Sequence, residues 1–309
     1  MEMPPSSHSS HRVVAGREIR KPNTLIIGAQ KCGTHWLHST LAAHEDVFMS
    51  AAKEPYYFGK AKRLTDSGFE AYLAEHFRDA RDEAIVGEAP TSYFQTRAGW
   101  MRWQPGQHFV DVPRAVQRFL GSGVRFLVGL RQPVERAISA YLHHWRKGRI
   151  PEGQTLLEVN PKLGIVDIGN YYEHLMGWME VYGRESFQVL LLEDIHDHPS
   201  ATFGAICSFL KIEPTVPPAG IEYRGLDLEW EGDRLRLSNE AREKLGRGFK
   251  KKHPAGGPPP EPASIEYREL VELQNGFDEG IQRLEQWLGR DLSHWRGEPW
   301  HRFVRYRRS

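Results

Sequence analysis

Four short runs of almost unbroken aliphatic and aromatic residues restrict the fold of this chain more than any other feature. They are TLIIG (Thr24–Gly28), IVGE (Ile85–Glu88), VRFLVGL (Val124–Leu130) and FQVLLLE (Phe187–Glu193). A strand with one wet face would alternate polar and apolar residues, whereas continuous apolar runs require cover on both faces. A mainly parallel sheet flanked by helices is the common way to supply that cover, so the expected class is α/β.

The segments between the runs carry the helical period. Trp36, Leu37, Thr40, Leu41 and Ala43 recur at three- and four-residue steps after the first run, as one buried helix face requires. Pro133 suits the first turn of a helix that buries Val134, Ala137, Ile138, Tyr141, Leu142 and Trp145, with Gly148 as its stop. A further helix is expected over about Tyr171 to Tyr182. The last one places Leu270, Leu273, Phe277, Ile281, Leu284 and Leu288 on one seam before Gly289, a candidate C-cap. Three stretches read as irregular: Gln95–Gly123, Lys147–Gly169 and Lys251–Pro262.

The chain has 309 residues, a length that one large α/β domain can occupy. The expected organisation is a mobile arm over 1–22, one main domain over 23–296 and a short basic tail over 297–309. With 39% hydrophobic and 11% aromatic residues the chain can bury a core, so disorder throughout is excluded. Lys and Arg total 41 against 40 Asp and Glu, and no global basic field argues for nucleic acid or an anionic membrane. Cys32 and Cys207 are too few for a disulfide scaffold, no zinc spacing surrounds them, and no run approaches the length of a membrane span. A reducing, cytoplasmic setting is the expectation.

Chemistry concentrates first in the loop after TLIIG. A loop that leaves a strand and enters a helix aims backbone N–H groups and the positive helix end at one spot, which suits phosphate or sulfate. Gly28-Ala29-Gln30-Lys31-Cys32-Gly33-Thr34 has that layout. The ATPase P-loop puts its lysine after the last glycine and a Ser or Thr on Mg²⁺; here Lys31 precedes Gly33, and the match to an ATPase fails.

Taken in order, IIGAQKCGTHWL, KEPYYF, GEAPTSYF, LRQPVERAISAY, the Tyr171–Asp194 block and the closing LGRDLSHW resemble the sulfotransferases that use 3′-phosphoadenosine 5′-phosphosulfate (PAPS). The similarity is to the heparan-type and related bacterial members, and it runs from about Thr24 to Trp295. It implies a P-loop NTPase-like sulfotransferase fold and transfer of a sulfuryl group to a hydroxyl or amine, on a carbohydrate or glycosylated small molecule. The same resemblance implies PAPS as co-substrate and no metal.

By the same resemblance the 5′-phosphosulfate end falls to Lys31, Cys32, Gly33, Thr34, His35 and Trp36, with Lys31 facing the leaving oxygen. Glu54 aligns with the family's catalytic glutamate, the general base. Arg131 and Ser139, eight positions apart and so about two helical turns, match the 3′-phosphate ligands. Lys251, and after it Lys250, correspond to the basic loop that closes over the donor. Gln132 stands where an aspartate is common, and Ala89 where heparan-type members often carry lysine.

Outside the resemblance, each of these residues has a blander reading: a glycine turn, a surface glutamate beside Lys53, an arginine capping its own strand. The 15 histidines include no metal-binding spacing and read as surface or packing residues. Tyr93, Trp100 and Trp103 are candidates to stack on an acceptor ring, or else core residues. Two other functions remain to be weighed, a nucleoside-type kinase with a divergent P-loop and a nucleotide-binding protein without catalysis.

Overall fold

The structure, a computed structural model, describes residues 9–98, 109–215, 228–239, 243 and 264–297. The chain divides into two compact units where one main domain was expected. The first comprises Met1–Leu130 with His174–Ile221, the second Arg131–Glu173 with Glu222–Ser309.

The first unit opens with a hairpin, β1 (His11–Val14) and β2 (Arg17–Arg20), paired antiparallel. This corrects the expectation of a mobile arm through residue 22. Ile19 is buried, and Arg12 pairs with Glu70 at 2.9 Å, so the hairpin has both an apolar and a polar anchor. Next come β3 (Thr24–Gly28), α1 (Thr34–Ala42), β4 (Val47–Met49), α2 (Asp66–His76) and β5 (Ile85–Glu88). The pair β6 (Arg97–Ala98) and β7 (Val110–Asp111), α3 (Val112–Leu120) and β8 (Arg125–Leu130) follow.

A parallel sheet of five strands in the order β4-β5-β3-β8-β9 forms the centre, with β9 at Phe187–Leu191. Its strands are mainly apolar, as cover on both faces requires. On one face Ile26, Leu127 and Leu190 meet Trp36, Leu37 and Leu41 of α1, Ile195 of α7 (Leu192–Asp197) and Phe203, Ile206 and Leu210 of α8 (Pro199–Leu210). On the other, Phe126 packs on Phe187, Trp178 and Tyr182. Burying each such aliphatic or aromatic side chain contributes about 1.5–3 kcal/mol before conformational entropy is set against it.

The second unit holds α4 (Pro133–Arg146), α5 (Leu156–Leu163), the start of α6 (Tyr171–Met179), and α9 (Tyr267–Leu288). The antiparallel sheet β10 (Leu228–Glu231), β11 (Arg234–Leu237) and β12 (Ile265–Glu266) completes it. Helix α4 packs against α5 and α9. Gly289 ends α9 at φ 65°, and Gly148 adopts φ 64° after α4, as their sequence positions suggested.

Two stretches read as irregular contain helices. In Gln95–Gly123, Asp111 accepts from the Arg114 N–H at 3.0 Å and caps α3, whose Val112, Ala115, Val116, Phe119 and Leu120 are buried. In Lys147–Gly169, Thr155 and Glu158 form a reciprocal capping box that starts α5. The fourth apolar run stays extended only to Leu191, and its Leu192 begins α7. Lys251–Pro262 lies outside the described residues. No described helix is long and apolar enough to cross a membrane.

Candidate active site

In the first unit the loops that leave β3, β4 and β5 converge at the carboxyl ends of their strands, the usual location of ligands in open α/β sheets. The loop after β3 is fastened to β8, where the Ala29 N–H donates to the Gly129 carbonyl at 2.8 Å. The fit is close enough to require glycine, since a Cβ on Gly129 would stand 2.2 Å from the Cys32 carbonyl oxygen. Gly28, at φ 146°, is crowded too, since a Cβ there would stand 2.7 Å from both the Thr91 carbonyl oxygen and Phe94 Cβ. Lys31 takes the left-handed region at φ 71°, and Gly33, at φ 84°, caps α1 without a side chain to occupy the first-turn N–H groups. That geometry suits an anion.

The sequence-derived loop residues divide by environment. Thr34 is buried, His35 exposed, and Cys32 fully buried with its thiol directed at the Gln30 carbonyl. Trp36 places its ring in the apolar core beside Leu37 and Leu41. Its ring packs, and its Nε1–H is buried without a hydrogen-bond partner among the described residues.

Glu54 is brought to this loop. The segment after β4 is laced to β5 by the Ser50 N–H on the Gly87 carbonyl, 2.8 Å, and the Ala89 N–H on the Lys53 carbonyl, 3.1 Å. Beyond it Tyr57 and Phe58 are buried in an aromatic cluster with Phe69, Tyr72, Tyr93 and Phe119, which pins the chain a few residues past the carboxylate. Tyr93 therefore belongs to the core: it is fully buried and its hydroxyl accepts from the Phe58 N–H at 2.9 Å. Trp100 and Trp103 lie outside the described residues.

Lys53 is a candidate site residue that sequence reasoning passed over. Its Nζ donates to Glu54 Oε1 at 3.3 Å and reaches Thr34 Oγ1 at 3.5 Å, and the Thr91 hydroxyl donates to the same carboxylate oxygen at 3.4 Å. A cation and a carboxylate thus stand together at the entry to α1. The signal was its place directly before Glu54 in KEPYYF, which reads equally well as a surface ion pair. Burial, and after it the charge of Lys53, holds the imidazole of the neighbouring His38 below its usual pKa.

The second unit carries the other predicted ligands. Arg131 and Ser139 are both buried, the first directly before α4 and the second on it. The Arg131 guanidinium is paired through Nε with Glu135 Oε2 at 3.2 Å, the Glu135 side chain being fully buried. The Tyr171 hydroxyl donates to the Arg131 carbonyl at 2.7 Å. Lys250 and Lys251 lie outside the described residues.

A five-stranded parallel sheet flanked by helices, with a tight glycine loop running from β3 into α1, defines a P-loop-like α/β fold, and comparison with known proteins narrows it. Residues 21–222 match the sulfotransferase domain family, most of the chain, and the protein belongs to that family. It is 26% identical over 264 residues to carbohydrate sulfotransferase 15 of Rattus norvegicus, a match covering 67% of this chain and 47% of that protein. With human heparan sulfate glucosamine 3-O-sulfotransferase 3B1 it shares 27% over 203 residues, 63% of this chain and 47% of that protein. It thus spans about half the length of these relatives. A sulfotransferase crystal structure from Alicyclobacillus acidocaldarius superimposes with a TM-score of 0.59 at 23% identity, covering 89% of this chain and 98% of that one. That likeness concerns the fold.

Proposed function

We propose that this protein transfers a sulfuryl group from PAPS to a hydroxyl or amine of a carbohydrate, with Glu54 as general base. The observation that carries the proposal is the carboxylate of Glu54 joined through Lys53 to Thr34, at the first turn of α1. Because the first-turn N–H groups and Lys31 favour negative charge there, the phosphosulfate end of the donor belongs at the loop. The relatives named for carbohydrate and heparan sulfate glucosamine support a sugar acceptor.

The step balances without a metal. An acceptor oxygen or nitrogen forms its bond to sulfur while the bond from sulfur to the 5′-phosphate oxygen breaks. The electron pair departs on that phosphate, whose growing charge Lys31 and Lys53 stabilise, and the acceptor proton passes to Glu54. The products are a sulfate ester, or a sulfamate from an amine, and adenosine 3′,5′-bisphosphate. Arg131 and Ser139 are assigned to the 3′-phosphate, for which a guanidinium and a hydroxyl supply charge-assisted hydrogen bonds.

The test compares the native protein with Glu54→Gln. Adenosine 3′,5′-bisphosphate should raise the melting temperature of both, Mg²⁺-ATP of neither, and the substitution should lower sulfate transfer by roughly 10²–10⁴. Preference for Mg²⁺-ATP would make the protein a kinase. Bisphosphate binding with no transfer to any glycan acceptor would make it a non-catalytic nucleotide binder, and undiminished transfer would remove Glu54 from the role.

A further inference from the structure

Between Arg131 and the C-terminal helix lies a buried chain of hydrogen bonds in which every group has a defined direction. The Gln132 side-chain Oε1 accepts from the Glu135 N–H at 2.8 Å and so caps α4. Its Nε2 donates to Gln274 Oε1 at 2.7 Å and to the Trp295 carbonyl at 3.1 Å. Gln274, on α9, donates in turn to the same Trp295 carbonyl at 3.1 Å and to Asp278 at 2.7 Å. Neither amide can be turned over. A backbone N–H must donate and a backbone carbonyl must accept, so Oε1 of Gln132 belongs at Glu135 and its Nε2 at Trp295.

The chain ends on the guanidinium. Glu135, oriented through its backbone by the Gln132 cap, holds Arg131 Nε at 3.2 Å. A second branch reaches the same residue from the same place. The Tyr171 ring packs edge-on against Trp295, centroids 6.1 Å apart, while its hydroxyl holds the Arg131 carbonyl at 2.7 Å. Gln132, Glu135, Tyr171, Gln274 and Trp295 are all buried, so a broken link withdraws a hydrogen bond where water does not readily replace it, at about 1–3 kcal/mol where a neutral group is left unpaired.

We propose that Gln132 and Gln274 are a positioning pair that sets the Arg131 guanidinium, so that α9 and the Trp295 turn govern affinity for a 3′-phosphorylated nucleotide. The inference rests on the assignment of Arg131 to the 3′-phosphate made above. Neither glutamine need touch the nucleotide. Their effect is to fix the start of α4, and with it the carboxylate against which the guanidinium is aligned. A bare carboxylate at position 132 can still cap α4, but it has nothing to donate to Gln274 or to the Trp295 carbonyl.

Two variants test this, Gln132→Glu, which keeps the cap and sets a charge against two carbonyl oxygens, and the milder Gln274→Ala. Affinities for adenosine 3′,5′-bisphosphate and for adenosine 5′-phosphate are measured by calorimetry, together with KM and kcat for PAPS. The expected result is a roughly tenfold or larger loss of bisphosphate affinity, with 5′-phosphate affinity little changed and KM rising more than kcat falls. Should Gln132→Glu fail to fold, Gln274→Ala carries the test with a smaller loss in the same direction. A folded variant with an unaltered ratio of the two affinities overturns the positioning pair. If the native protein does not distinguish the two nucleotides, what fails is the placement of the 3′-phosphate at Arg131.

Discussion

At the scale of single residues the site is defined by what has no room to be larger. Gly129 sits in β8 with the Cys32 carbonyl so close that an added methyl would stand 2.2 Å from it. Because the neighbour is backbone and the loop is tied down at Ala29, relief means moving the loop that presents Lys31. Gly129→Ala should therefore cost about 1–3 kcal/mol of stability, as overpacking does, and also lower sulfate transfer. Urea unfolding and turnover measured together check this, and a variant wild-type in both would refute the close approach. The loop and Glu54 were legible in the sequence because glycine spacing and the KEPYYF context identify them. Lys53 was not, since adjacency to Glu54 says nothing of its reach to Thr34. Nor was the burial of Trp36 and Tyr93, because an aromatic residue in a motif reads the same whether it stacks on a ligand or on a core.

At the scale of elements, four strands and the helices after them follow from apolar runs and helical period, while the pieces that escaped were short or masked by their surroundings. Helices α3 and α5 carry good caps, Asp111 and the Thr155–Glu158 box, inside stretches whose proline and glycine dominate a quick reading. Strand β4 has only three residues, too few for a period to register. The β1–β2 hairpin is polar on most of its surface, and what holds it is a tertiary contact with no local signal. Its two anchors differ in kind. Arg12 and Glu70 are 40% and 37% exposed in their side chains, so water and salt screen the pair and its worth is about 0–1 kcal/mol. Ile19 is buried, and truncating a buried isoleucine costs about 2–5 kcal/mol. Denaturant midpoints should therefore fall clearly for Ile19→Ala and little for Arg12→Ala; the reverse order would mean that the ion pair holds the hairpin.

At the scale of the whole molecule, stability is bounded by buried groups that ionise in opposite senses. Glu88, the last residue of β5, is fully buried, and burial raises its pKa from 4.5 to about 8, opposed by the nearby Tyr72 and Tyr93 hydroxyls. Neither hydroxyl makes a well-formed hydrogen bond to it, and both carboxyl oxygens lack such a partner among the described residues. The folded protein thus holds this carboxyl protonated where the unfolded chain releases it, so the native state loses ground as pH rises from 4.5 to about 8 and no further above that. Glu269 is shifted in the same direction, chiefly by burial. His38 and His76 act oppositely: burial lowers both, and the stability they contribute is lost as pH falls below 6.5 through their folded-state values. A single stability curve mixes these effects, and the substitution Glu88→Gln separates one of them, since an amide of nearly the same shape does not titrate. Between pH 5 and pH 8 the native protein should lose more unfolding free energy than the variant, by an amount on the order of a few kcal/mol. Urea denaturation at the two pH values measures that difference, which is insensitive to any constant cost of burying the amide. Equal losses in the two proteins would mean that the Glu88 carboxyl is already ionised in its aromatic surroundings.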